Sequence, residues 1–177
     1  TATTTRTPPP STPAGAGRIY LPIGLAGGCL PGAAPLDLVV VLDASTTMEG
    51  LTASGRRKLD VAVEGIRRLV DGLDGRRDVR VALVRFDAAA SIWIALTGDL
   101  RAVRAALTAP IDAEQGSRID LGLLAAAEQL GPPDAARRRA VVLVSDGQVF
   151  GATEQDVLDA ASALGRAGAE RFAVAVG

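Results

Sequence analysis

Residues Leu38 to Leu42 are five consecutive apolar side chains, three of them Val, and the run stops at Asp43-Ala44-Ser45-Thr46-Thr47. The run is too short for a helix, and its β-branched content marks a strand buried on both faces, the kind found inside parallel sheets. A parallel sheet constrains all that follows. Its strands need long crossovers, its faces need helices, and its carboxyl edge gathers loops around a crevice where ligands bind. Asp43, Ser45 and Thr47 stand at that edge. One carboxylate and two hydroxyls at alternate positions are hard oxygen donors, which suit Mg²⁺, Mn²⁺ or Ca²⁺ rather than zinc or copper.

The rest of the sequence supplies the crossovers. Lys58 to Val70 places Leu59, Ala62, Val63, Ile66, Leu69 and Val70 at helical spacing, after a Gly-bearing stretch, Glu49 to Arg57, expected to be a flexible connection. Val79 to Phe86 reads as a second strand and Ser91 to Leu96 as a third. The turn between them, Asp87 to Ala90, cannot hold a crossover, so the third strand is antiparallel and lies at an edge, with Trp93 packing there. A short helix is predicted over Asp99 to Leu107, capped by Thr97 or Asp99, and an Ala-rich helix follows Gly116-Ser117. Ala140 to Ser145 is another buried strand running into a carboxylate, Asp146, followed by Gly147. Thr153 to Leu164 is a helix with Thr153 and Asp156 as its capping box, and Arg171 to Gly177 holds the fifth strand. The fold class is α/β: a doubly wound, mostly parallel, Rossmann-like sheet with one antiparallel edge strand and helices on both faces.

With 177 residues, 48% of them hydrophobic, one domain and a tail are expected. The tail is residues 1–31, a Thr/Pro/Gly-rich leader that reads equally as a spacer or an O-glycosylated stalk; the domain is 32–177. Pro22, Pro31 and Pro35 break the uncharged stretch before the first strand, so it spans no membrane. The lone Cys29 fits a lipidation box poorly and reads as a partner for a cysteine elsewhere in a longer protein or as an unpaired small residue. A net charge of -1, with no basic cluster interleaved with aromatics, argues against nucleic acid. The absence of His removes Ser-His-Asp and Cys-His chemistry and every His-ligated metal site. Lys58 is the only lysine, and no Gly-x-x-x-x-Gly-Lys phosphate loop can be drawn.

The segment from Val39 to Met48 resembles the first strand and metal loop of von Willebrand factor A domains, whose metal-ion-dependent adhesion site reads D-x-S-x-S, often followed by Met. Thr47 replaces the second Ser and keeps the hydroxyl. Gly116-Ser117 is similar to the family's second metal loop, Gly-Thr before an Ala-rich helix, although Ser117 alone reads as a plain helix N-cap. Ser145-Asp146-Gly147 resembles the third loop, and Phe172 to Gly177 the family's F-A-I-G-V-G strand. The resemblance covers residues 36–177. It implies a metal site of Asp43, Ser45, Thr47, Ser117 and Asp146, with Ser45 and Thr47 binding directly, Ser117 directly or through water, and both aspartates mostly through water. It also implies no enzyme but a divalent-metal-dependent adhesion or interaction module, taking Mg²⁺, Mn²⁺ or Ca²⁺, with one position open for a protein partner's Asp or Glu. The family continues into a last strand and a C-terminal helix, so the domain is expected to be C-terminally incomplete, its edge covered by a missing segment or a partner.

Two other readings compete. One is a structural or assembly A domain that needs no metal. The other is a phosphoryl-transfer enzyme, which would want D-x-D-x-T, whereas Ser45 stands where the second Asp would act as acid and base. The Thr/Pro leader suggests a bacterial extracellular or cell-surface location, with a cytoplasmic domain working beside an ATPase as the alternative.

Overall fold

The computed structural model describes residues 34–177; the leader and Cys29 lie outside them. The elements run β1 (Leu36–Asp43), a 3₁₀ turn (Thr46–Glu49), α1 (Lys58–Asp71), β2 (Val79–Phe86), β3 (Ala90–Thr97), α2 (Leu100–Ala106), α3 (Ile119–Leu130), β4 (Arg138–Ser145), α4 (Glu154–Arg166) and β5 (Glu170–Ala175). The five strands are ordered β3-β2-β1-β4-β5. Pairs β1–β2, β1–β4 and β4–β5 are parallel and β2–β3 is antiparallel, so β3 takes the edge expected of it. Trp93 packs, half-buried, against the core there.

The central strand β1 divides the core by alternation. Leu38, Val40 and Leu42 face a cluster with Leu59, Ala62, Ile66 and Val70 of α1 and Val103 of α2. Val39 and Val41 face another with Leu123 and Ala126 of α3 and Ala160 and Leu164 of α4. Helices therefore cover both faces, and the apolar run has no solvent side. Val63 and Leu69 sit at the margin of the α1 stripe, half-buried, because Leu59, Ala62, Ile66 and Val70 already fill the contact with the sheet. On the other face, α3 approaches closely at Gly122, where a Cβ would lie 2.8 Å from a ring carbon of Phe86 and 2.9 Å from a methyl of Val41.

The caps match their sequence signals. Asp99 accepts from the backbone N–H groups of Arg101 and Ala102 at the head of α2. Thr153 and Asp156 form the reciprocal capping box of α4. The connection from Glu49 to Arg57 differs from the flexible stretch expected. It is a folded turn in which Thr52 N–H donates to Arg56 O at 2.8 Å, Lys58 N–H donates to Gly50 O at 2.9 Å, and Arg57 pairs with Glu49. Its two glycines invited the wrong reading, because the short polar side chains between them satisfy the backbone locally.

Candidate metal centre

The site is built where β1 and β4, adjacent and parallel, run out together. The register pairs Leu42 with Val144, so the next residues, Asp43 and Ser145, arrive side by side. Asp43 is fully buried. One carboxylate oxygen accepts the Ser45 N–H at 2.9 Å and the other accepts the Ser145 hydroxyl at 2.6 Å. Both donors are neutral. Among the described residues no Lys or Arg forms an ion pair with Asp43, so this buried carboxyl has only neutral partners in contact.

The bond from Ser45 N–H turns the chain sharply after β1. Ser45 and Thr47 then face one another, with their hydroxyl oxygens 3.0 Å apart. Two oxygens held by one octahedral Mg²⁺ at ~2.1 Å are ~3.0 Å apart by geometry, so the pair is already spaced as neighbouring ligands. Met48, fully buried, anchors the loop from below.

Asp146 follows β4. Its side chain is 2% exposed and lies 3.0 Å from the ammonium of Lys58, the first residue of α1. Burial pushes its carboxyl up, but hydrogen bonds from Lys58, the Gln148 N–H and Thr47 outweigh that and hold it below the usual aspartate range.

Ser117 is buried but does not cap α3; Arg118 precedes that helix and makes no side-chain cap. The Ser117 hydroxyl instead donates to Gln148 O at 2.7 Å, and its backbone exchanges hydrogen bonds with Phe150. It is joined to the loop that Asp146 begins, not bonded to Asp43, Ser45 or Thr47. Gly116 makes this possible: its φ is +97°, and a Cβ there would sit 2.7 Å from the Ala88 backbone. The first and second loops are stitched by backbone as well, Thr46 N–H donating to Glu114 O and Glu114 N–H to Ala44 O.

Two participants escaped the sequence reading. Ser145 orients Asp43, and strand register, which pairs the residues before them, is the signal that would have found it. Lys58 neutralises Asp146; being the sole lysine in an arginine-rich sequence was the only hint. Among the described residues no three acidic, His or Cys side chains gather around one point. An ion here would therefore rest on hydroxyls and two carboxylates. The all-oxygen donors and the spacing of the Ser45 and Thr47 hydroxyls fit a divalent cation at this end of the sheet, while Ser117 would have to turn its hydroxyl away from Gln148 O to join them.

The von Willebrand factor type A domain model matches residues 37–177. The chain belongs to that family. Its fold is shared with the conserved hypothetical protein BatB from Bacteroides thetaiotaomicron, at 23% identity and a TM-score of 0.66, over 78% of this chain and 65% of that one. It is shared also with the pilus adhesin SpaC from Lactobacillus rhamnosus GG, at 17% identity and TM-score 0.64, over 80% of this chain and 24% of that one. A von Willebrand factor type A protein from Catenulispora acidiphila matches at 19% identity and TM-score 0.63, over 80% and 33%. This A domain thus spans less than two thirds of the length of these solved chains. No curated protein sequence matches it. No described helix of the A domain is long and apolar enough to cross a membrane.

Proposed function

We propose that this A domain is a protein-binding module that engages a partner's Asp or Glu through a divalent cation, Mg²⁺ or Mn²⁺ before Ca²⁺, held at Asp43, Ser45, Thr47, Ser117 and Asp146. The observation that carries the reading is Asp43, a fully buried carboxylate satisfied only by neutral donors beside two hydroxyls at ligand spacing. Buried charges are paired or bind metals, because an uncompensated one is costly in the interior.

When bound, the cation supplies an electron-poor centre with a position open to an outside oxygen. The protein's own residues do the rest. Asp43 and Ser145 lock the ends of β1 and β4 together, Ser45 and Thr47 present paired oxygens, and Asp146 and Ser117 close the side toward the β4–α4 loop. Exposed apolar side chains on the flanking loops, Leu51, Val149 and Phe150, offer a partner contact area beyond the ion. We assign no catalysis: the first loop carries Ser45 where an acid-base carboxylate would be needed.

The fold's occurrence in a pilus adhesin and in a minor pilin, PilB from Streptococcus sanguinis, supports placing this A domain at a bacterial cell surface. One observation favours the second reading, a metal-independent assembly scaffold: Lys58 already neutralises Asp146. Thermal unfolding separates the two. In the metal-dependent reading Mg²⁺ or Mn²⁺ raises the unfolding temperature above that in chelator, and Asp43→Ala and Ser45→Ala abolish the rise. A parent protein indifferent to both ions leaves the scaffold.

A further inference from the structure

Lys58 is out of place by ordinary rules. It is the first residue of α1, where the positive end of the helix dipole disfavours a cation, and its N-cap, Arg57, offers no side-chain cap. Its side chain is nonetheless only 17% exposed. The stem passes beneath the β1–α1 loop, where a Cβ on Gly50 would lie 3.6 Å from Cε and 3.8 Å from Nζ. The ammonium ends 3.0 Å from Oδ2 of Asp146, while Oδ1 accepts the Gln148 N–H at 3.1 Å. Every other basic residue in the sequence is Arg. A guanidinium is a broad planar fork, whereas an ammonium is a compact point charge of three donors, the side-chain group nearest in form to a bound metal ion.

We propose that Lys58 is a resident cation that occupies the Asp146 side of the site, competes with the divalent ion and so sets its affinity. The inference rests on the divalent-cation reading of the site. In the metal-free protein the ammonium neutralises Asp146 and keeps the third loop against the first without a metal. A dication drawn to the same carboxylate must displace that ammonium or sit beside it against repulsion, so the site fills only at high divalent concentration. Lys58 keeps a small exposed surface and has a flexible stem, so it can swing outward when displaced. The site therefore has two occupied states, one closed by its own lysine and one loaded with metal, and no state with a bare buried Asp146. Lys58 acts through Asp146 and is a positioning residue.

The test is calorimetric titration of Mn²⁺ into the full chain, parent beside Lys58→Met and Lys58→Gln, with unfolding followed in chelator and in Mn²⁺. Loss of the competing charge is expected to tighten Mn²⁺ binding by ~tenfold or more in both variants. The same variants should unfold at a lower temperature than the parent in chelator and recover more than the parent does when Mn²⁺ is added. A purely structural lysine would lower stability in both conditions and leave affinity unchanged. Parent and variants binding Mn²⁺ equally, or the variants more weakly, overturns the role of Lys58 while leaving the metal site standing. Binding that appears only in the variants supports the competition and contradicts metal dependence of the native protein. No binding in any of them overturns both.

Discussion

Asp37 and Asp43 stand at the two ends of β1, on the same face of the strand, and both are fully buried. Their surroundings are opposite. Asp37 receives Nε and a terminal nitrogen of Arg80 at 2.7 and 2.6 Å and Nε of Arg137 at 2.8 Å, and Arg137 also binds Asp78 O. Burial pushes its carboxyl up, but the two guanidinium groups outweigh that and hold it below the usual range. Asp43 receives one backbone N–H and one hydroxyl. The amino end of the strand is closed by covalently attached cations and belongs to stability. The carboxyl end leaves a charge that its own side chains do not neutralise, as a cation site requires.

Breaking the closed end should cost most. Asp37→Ala leaves the half-buried Arg137 without its anion and is expected to lower stability by about 3 kcal/mol in urea unfolding, with or without divalent ions. Gly122→Ala touches neither carboxylate but pushes α3 from the strand between them, and about 2 kcal/mol is expected, again independent of metal. Asp43→Ala should cost only about 1 kcal/mol in chelator, since the loss of two hydrogen bonds to the carboxylate is largely offset by removing a buried charge that has no cation, yet it should erase the stabilisation by Mg²⁺. A large loss in chelator would mean that Asp43 is structural after all, and the contrast would fail.

Acid sharpens the same comparison. The folded-state pKa of Asp37 lies below the ordinary 3.8, so its ion pairs stabilise the fold at pH above that value and lose this contribution as pH falls through the depressed one. The gap in urea midpoint between parent and Asp37→Ala should therefore shrink from neutral pH to about pH 3. A gap that grows on acidification would reverse the assignment. At the small end, Arg138→Ala removes an ion pair with Glu170 in which both side chains are more than half exposed, and a change within about 0.5 kcal/mol is expected.

The contrast explains what could be read in advance. The apolar runs of β1 and β4, the turn too short for a crossover and the capping signals of α2 and α4 are local patterns, and they placed the sheet order's antiparallel edge and the helices. That Asp43, Ser45, Thr47 and Asp146 come together at one edge was legible because β1 and β4 are parallel and their carboxyl ends converge there. Ser145 and Lys58 were not, because their roles depend on register and on where a long side chain comes to rest. The ordering of residues 49–57 was missed for a related reason, since its hydrogen bonds join residues that spacing alone does not pair. Asp37 drew no notice in the sequence, its two arginines being 43 and 100 residues away.

The most direct measurement is the anomalous difference map of a crystal soaked in Mn²⁺. A single strong peak within bonding distance of the Ser45 and Thr47 hydroxyls is the predicted result. A map featureless at that end of β1, with the soaked ion found elsewhere or nowhere, would contradict the claim that the carboxyl end of the strand is a cation site.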